Sequence, residues 1–263
     1  MYAAATHFFA TRISNVLRNQ AMVGVSNLFA SLFLSNPTKT GQAGVEANYP
    51  GYARQPISFT PPSANAEGDV SIQNTSELLW QAPASNAGVV TFVAIHDSAT
   101  GGNMLFIAEL NIPLELVSGM PPSLDAGDII CEAVHRQFSV WFKSGILNTL
   151  RGQNFEGLNP HIGIYTGDPE AGGIELSGGG YERPPIIFTA PSEQPGGQMR
   201  MANDTEVRFP RPTAFQGEWR FTALLTAQNA GNVIWRLGRQ PNVTIQRNHT
   251  PVFRLGEFVV NVS

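Results

Sequence analysis

The chain carries the stretch Gly51-Tyr-Ala-Arg-Gln-Pro-Ile-Ser-Phe-Thr-Pro-Pro-Ser63 and repeats it 129 residues later as Gly180-Tyr-Glu-Arg-Pro-Pro-Ile-Ile-Phe-Thr-Ala-Pro-Ser192. Nine of the thirteen positions are identical. Self-similarity this dense indicates a tandem duplication. The sequence therefore predicts two domains, residues 1–134 and residues 135–263, each of ordinary domain size.

The repeat extends well beyond this motif. From Gly51 onward the offset of 129 residues holds without a gap to the end of the chain, and the shared residues are mostly glycine, proline, asparagine and apolar. Ahead of each motif, apolar residues recur every three to four positions. This spacing predicts one amphipathic helix from His7 to about Gln20 and another from His135 to Gly152.

Short runs of β-forming residues lie between turn signals in both copies. We expect strands at 25–34, 71–80, 89–96, 104–110, 115–119, 128–133, 161–166 and 257–262. Pro56, inside the repeated motif, implies an edge strand or a break in the ladder, because proline cannot donate to a ladder. Together these signals predict a mainly β chain: two tandem jelly-roll-like antiparallel β-sandwich domains, each preceded by one amphipathic α-helix.

The composition favours a packed protein with covered surfaces. Hydrophobic residues make up 42% of the chain, which is enough for cores, while charged residues make up only 14%. The net charge of −4 divides into −6 for residues 1–134 and +2 for residues 135–263. This asymmetry either steers assembly or reflects drift after the duplication.

Several partners and compartments are disfavoured by the sequence. No basic run or basic-aromatic stripe predicts nucleic-acid binding. No apolar run is long enough to span a bilayer, and we expect no signal peptide. The single cysteine, Cys131, lies in an apolar run and is expected to be a small core residue.

The sequence contains no group of residues typical of an active site, a metal site or a cofactor site. None of the five histidines has a histidine at its repeat-equivalent position; His96, for example, aligns with Leu225. The triple glycine that begins at Gly178 leads into a strand, whereas a phosphate loop opens a helix. Asp125 and Asp128 are too few for a calcium loop. We therefore expect no enzymatic activity.

The motif places a tyrosine and an arginine two positions apart in each copy: Tyr52 and Arg54, and Tyr181 and Arg183. Residues two apart on a strand face the same side. One hypothesis makes each pair an interface anchor, since both residue types are enriched at binding hot spots. The other makes it a fold signature, with the arginine stacked on its own tyrosine or paired with the recurring Glu77 and Glu206.

The order of motifs resembles a family of small bacteriophage virion proteins labelled tail-fibre or minor structural proteins. The resemblance is carried by a leading helix, a strand ending in Leu-Phe-Leu-Ser-Asn-Pro37 or Ile-Tyr-Thr-Gly-Asp-Pro169, a Gly-Gly-Tyr-x-Arg segment, the segment Phe92-Val-Ala-Ile-His-Asp-Ser-Ala-Thr-Gly-Gly-Asn-Met-Leu105 and a closing Ala-Gly-Asp strand. It covers nearly the whole chain, once per copy. The tandem form departs from the single-domain form of that family.

The resemblance implies a non-enzymatic structural protein of a tailed-phage virion. Such a protein would assemble with other virion proteins, and with further copies of itself, in the tail, baseplate or fibre-attachment region. One alternative is a capsid decoration protein that stabilises the head. Another is a carbohydrate-binding receptor module, which would need Trp80, Trp219 or Trp235 exposed as a platform, although their strand patterns favour the core.

Overall fold

The computed structural model describes residues 1–133, 136–195 and 197–262. The chain is mainly β and forms two repeated halves, as predicted. In the first half the strands are β1 Tyr2–Ala5, β2 Leu28–Phe33, β3 Gln55–Ile57, β4 Ser63–Ala64, β5 Val70–Gln73, β6 Leu78–Leu79, β7 Gly88–His96, β8 Met104–Leu116, β9 Ser123–Leu124 and β10 Ile130–Ala133. In the second half they are β11 His161–Tyr165, β12 Ser192–Glu193, β13 Met199–Ala202, β14 Val207–Arg208, β15 Gly217–Leu225, β16 Val233–Ile245, β17 Val252–Phe253 and β18 Val259–Val262.

The first half is built on one continuous sheet. Among the described residues its order is β3-β2-β7-β8-β1-β10-β5-β4, and β6 pairs with β9 separately. Strand β3, which contains Pro56, lies at an edge of this sheet, as the proline predicted. Strand β1 lies in the interior, antiparallel to β8 and parallel to β10. The sequence did not predict β1, because its run of alanines carries no β signal.

The second half divides the same layout into separate sheets. The described strands pair as β11-β15-β16, as β12-β13-β18 and as the small ladder β14-β17. The sheets of both halves curl into jelly-roll-like β-sandwiches, as expected for the fold class. Among the described residues the halves thus share their strand order except at two places: β1 has no counterpart in the second half, and the counterpart of β3 is only an isolated bridge between His161 and Pro185.

Two strand predictions are corrected by the structure. The strand expected over 71–80 breaks into β5 and β6, because the Asn74 side chain bonds Ser76 O, Asp125 O and Ile129 N at a corner. The strand expected over 104–110 and the first part of the one expected over 115–119 form the single strand β8, which ends at Leu116, and residues 117–119 lie outside it. Its register moves from Val90 opposite Leu114 to Phe92 opposite Glu109, so the residues between Glu109 and Leu114 form a bulge.

The two helices are shorter than predicted and begin at equivalent side-chain caps. Helix α1 spans His7–Val16, and α2 spans Val140–Asn148 before a 3-10 turn over Thr149–Arg151. The Thr6 and Ser139 hydroxyls accept from the backbone N–H three residues on, at 3.4 and 3.1 Å. Such caps fix where a helix starts. The predicted start at His135 lies outside the described residues.

Each cap also ties its helix to the long strand of its own half. The Thr6 hydroxyl donates to Met104 O at 2.6 Å, and the Ser139 hydroxyl donates to Val233 O at 2.5 Å. One cluster of buried side chains runs through both halves and includes Phe9 of α1 and Phe142 of α2, each 1% exposed. Truncating a phenylalanine buried this deeply costs about 3–5 kcal/mol.

Candidate interaction surfaces and the junction between the halves

The tyrosine and arginine of the first motif both bind one carboxylate of their own half. The Arg54 guanidinium donates to both oxygens of Glu46, at 2.9 and 2.8 Å, and the Tyr52 hydroxyl donates to Glu46 at 3.1 Å. Arg54 also donates to Ser98 O and Gly101 O. The arginine thereby ties the strand β3 region to the turn between β7 and β8.

The second motif repeats this arrangement. Arg183 donates to both oxygens of Glu175, at 2.6 and 2.5 Å, and Tyr181 donates to the same carboxylate at 2.9 Å. Its remaining nitrogen reaches Ala227 O and Ala230 O. The backbone N–H groups of the central strands donate to the tyrosine hydroxyls in both halves, at 2.9 Å each.

Burial and charge around these carboxylates are consistent with a structural ion pair. The Arg54 and Arg183 side chains are 10% and 9% exposed. Burial alone would raise the pKa of Glu46, but the hydrogen bonds and charge of Arg54 outweigh it and lower the pKa. The hydrogen bond to Glu175 has the largest effect on the pKa of Arg183 and raises it. The four motif residues therefore have partners within their own halves.

The acidic partners differ from those considered in the sequence. Glu46 and Glu175 bind the arginines, whereas Glu206 pairs with the exposed Arg208. Glu46 and Glu175 are themselves repeat-equivalent, so the recurrence was visible in the sequence. The signal that pointed to Glu77 and Glu206 was recurrence alone, which says nothing about which carboxylate lies within reach.

The other candidate residues serve local structure. The Asp97 carboxylate accepts two bonds from Asn103 across its turn, and the carboxylate of Asp128 accepts from Asp125 N in another. Gly178, like the two glycines that follow it, has positive φ and forms a turn. The strand expected after this turn is absent from residues 181–191, which make only isolated bridges at Pro185 and Phe188. Within residues 1–133, 136–195 and 197–262 no cluster of His, Cys, Asp and Glu could hold a metal ion.

The tryptophans considered as a sugar platform are buried. Trp80, Trp219 and Trp235 are 1%, 4% and 2% exposed, so none of the three presents a face to a ligand in solution. This removes the platform on which the carbohydrate-binding alternative depended. In the described part of the chain, no helix is long and apolar enough to cross a membrane.

The junction between the halves has an approximate two-fold axis. Met22 and Phe155 occupy equivalent positions after the two helices, and they pair with each other across the junction. Met22 N donates to Phe155 O at 2.7 Å, and Phe155 N donates to Met22 O at 2.9 Å. A residue that pairs with its own equivalent lies on a two-fold axis. The halves are therefore arranged like the subunits of a symmetric dimer.

The helices cross this junction reciprocally. Helix α1 lies against β13 and β18 of the second half, and α2 lies against β5 and β10 of the first. Arg18, just after α1, donates to Phe188 O at 3.3 Å, and its equivalent Arg151 donates to Phe59 O at 3.4 Å. Each helix thus covers part of the core of the other half.

Close backbone approach at the junction requires two glycines. A Cβ atom on Gly24 would lie 2.3 Å from the carbonyl carbon of Gly152. At the equivalent place, a Cβ atom on Gly157 would lie 2.4 Å from the carbonyl carbon of Asn19. Any side chain there would push the halves apart. Sequence reasoning missed the junction, although Gly24 and Gly157 recur at the same offset as the helices.

Comparison with known proteins confirms the resemblance drawn from the motifs. The family model described as podophage GP4 fiber I protein gp80 matches the chain twice, over residues 4–132 and residues 137–261. One match falls on each half, and together they leave only a few residues uncovered. No curated protein matches the chain.

Proposed function

Since the chain belongs to the family of the podophage GP4 fiber I protein gp80, we propose that it acts without catalysis in the tail, at the baseplate or where fibres attach. The chain is a structural protein of the phage virion. The observation that supports its place is the match of a fibre family to both halves. Its partners there are other virion proteins and further copies of itself.

Counting the copies of this chain in purified virions tests that place. Tail and baseplate assemblies are ring-symmetric, so we expect about six to twelve copies per particle. Quantitative mass spectrometry against a tail protein of known stoichiometry measures the number. Hundreds of copies would instead indicate capsid decoration and would overturn the proposed place in the tail. The absence of the chain from washed particles would overturn the function as a whole.

We further propose that the two halves act as one assembly unit, although the sequence divides at residues 134/135. Each helix covers apolar surface of the other half, so a separated half would expose its own helix face and lose a cover. Residues 1–133 and residues 136–263, expressed alone, should be poorly folded, and when co-expressed they should form a one-to-one complex. Native mass spectrometry and thermal unfolding measure this. A cooperatively folding, monomeric single half would contradict it.

A further inference from the structure

Strand β1 lies between β8 and β10 and completes the sheet of the first half. In the first half, Ala3 lies between Ala108 of β8 and Cys131 of β10, so the sheet continues across this position. Ile130 N donates to Met1 O at 2.9 Å, and the terminal amino group donates to Asp128 O at 2.6 Å. Ala3 and Ala108 are 3% and 2% exposed as a result.

The second half lacks a strand at the equivalent position among the described residues. Strands β16 and β18 are edges of separate three-stranded sheets, and no described strand pairs with their outer sides. Among the described residues, the chain pairs with this edge of β16 near its start, where Phe138 pairs with Trp235 and Arg236 N donates to Gln137 O at 2.8 Å. Arg136 and Gln137 lie in a turn rather than in a strand.

A cavity of about 240 Å³ lies between the two edges. Its walls are the β16 edge and the start of β18, and its lining includes Trp235, Leu237, Gly238, Arg239, Glu257 and Val259. Leu237 is 46% exposed, whereas its equivalent Ala108 is 2% exposed. The Trp235 side chain is 2% exposed, and its indole nitrogen has no hydrogen-bond partner among the described residues.

We propose that this slot, bounded by Leu237–Gln240 and Glu257–Val259, takes an extended segment of a neighbouring virion protein as its missing strand. Two unpaired edges that face each other can be completed by one added strand, whose backbone bonds supply affinity while side-chain pockets select the sequence. That the neighbour is a virion protein rests on the proposed function. The open slot itself rests on the geometry of the second half.

The first half indicates the chemistry of the occupant. The strand there puts the small apolar Ala3 inward and the exposed Tyr2 outward, so the partner segment should carry small apolar residues at alternate positions. By register, its inward residue lies opposite Leu237 on one side and Val260 on the other. A segment rich in proline cannot fill the slot, because it lacks the N–H donors.

A different protein fits this position better than a second copy of the chain. The Tyr2–Ala5 strand of every copy is already held between β8 and β10 of its own first half. A second copy could donate this strand only by opening its own sheet, so no strand pairing would be gained. A segment from another protein adds pairing without loss.

Hydrogen exchange of the isolated full-length chain tests whether the slot is open, independently of any place in the virion. We expect the Val259 amide to exchange at least about 100-fold faster than that of its equivalent Ile130, which bonds Met1 O. Equal protection of the two amides would overturn the proposal, since it would mean that the isolated chain already closes the slot.

Cross-linking in assembled virions tests the occupant. A benzophenone side chain replaces Leu237 or, as a control of similar exposure away from the slot, Leu79, which is 53% exposed. We expect the Leu237 variant to cross-link at least about tenfold more, to one extended segment of one other virion protein. A synthetic peptide of that segment should then slow exchange at Val259 in the isolated chain.

Three cross-linking results would overturn the proposed occupant. They are a cross-link to residues 1–5 of a second copy, a cross-link within the same chain, and a yield at Leu237 no higher than at Leu79. Loss of the chain from virions would instead overturn the proposed function, while the exchange result on the isolated chain would still stand.

Discussion

Acidification is expected to destabilise the first half through His96. The imidazole is 4% exposed; its Nε2 lies 2.9 Å from Ser31 Oγ, and its Nδ1 has no partner among the described residues. Burial is the main cause that lowers the pKa of His96 from 6.5 to about 4. The charge of Arg54 lowers it further, while Glu46 and Asp97 oppose the shift. The folded protein therefore holds the neutral imidazole.

The sign and size of the effect follow from proton linkage. Between the folded and unfolded pKa values of His96 the unfolded state binds more protons, so stability falls as the pH falls through that window. The contribution is retained above about pH 6.5 and is lost once the folded imidazole is also protonated, below about pH 4. The full effect is about 3 kcal/mol, of which about 2 kcal/mol is lost between pH 7 and pH 4.5.

Urea unfolding of the native chain and of His96→Leu at both pH values measures this contribution. Leucine is the residue at the equivalent position, Leu225, so the second half already tolerates it in the same place. We expect the native chain to lose about 2 kcal/mol more than the variant on acidification, because the variant lacks the imidazole that the unfolded state protonates. The exposed His249→Leu control should behave like the native chain. Equal losses in the native chain and His96→Leu would refute the reasoning.

Three further predictions concern the motif, the junction and the core. Arg183→Ala should lower the free energy of unfolding by about 3 kcal/mol, because it leaves the largely buried carboxylate of Glu175 without its cation. Arg208→Ala, at an exposed ion pair, should lower it by less than about 1 kcal/mol, and chemical denaturation compares the two variants. Loss of assembly at unchanged stability would instead assign Arg183 to an interface. Gly24→Ala should lower the unfolding temperature and reduce the free energy of unfolding by about 1–3 kcal/mol. The control Gly238→Ala should not, because its Cβ atom would meet nothing nearer than 3.5 Å. Equal unfolding temperatures of the two variants would contradict the close approach at the junction. Cys131 is fully buried, and burial raises the pKa of its thiol. Iodoacetamide should therefore label it at pH 8 only when urea unfolds the chain. Labelling of the folded chain at the rate of a free thiol would count against this burial.

Much of the fold was predictable because it is encoded over short distances. Apolar residues at helical spacing predicted both helices, although the structure shortened them to the segments that Thr6 and Ser139 cap. Pro56 correctly predicted an edge strand, because its missing N–H is a local property. The break at Asn74 was not predictable, since it depends on bonds to residues more than fifty positions away.

The candidate site was less predictable than the fold. Recurrence identified Tyr52, Arg54 and their equivalents, but it could not choose between Glu46 and Glu77 as the acidic partner. Both carboxylates recur in the second copy, and only the folded chain places Glu46 within 2.8 Å of the guanidinium. Whether these residues also contribute to contacts with other subunits stays a prediction that the Arg183 variant addresses.

The sequence by itself determined the duplication, the β class, the leading helices and the resemblance to phage virion proteins. These properties follow from residue types and spacing along the chain. Only the tertiary structure decided that α1 and α2 each cover the other half, and that β1 completes the sheet of the first half while no described strand takes its place in the second. The reason is physical. An apolar face on a helix shows that the helix must be covered, but the equivalent surfaces of the two halves could each cover it. Which one covers it depends on contacts between residues far apart in the chain.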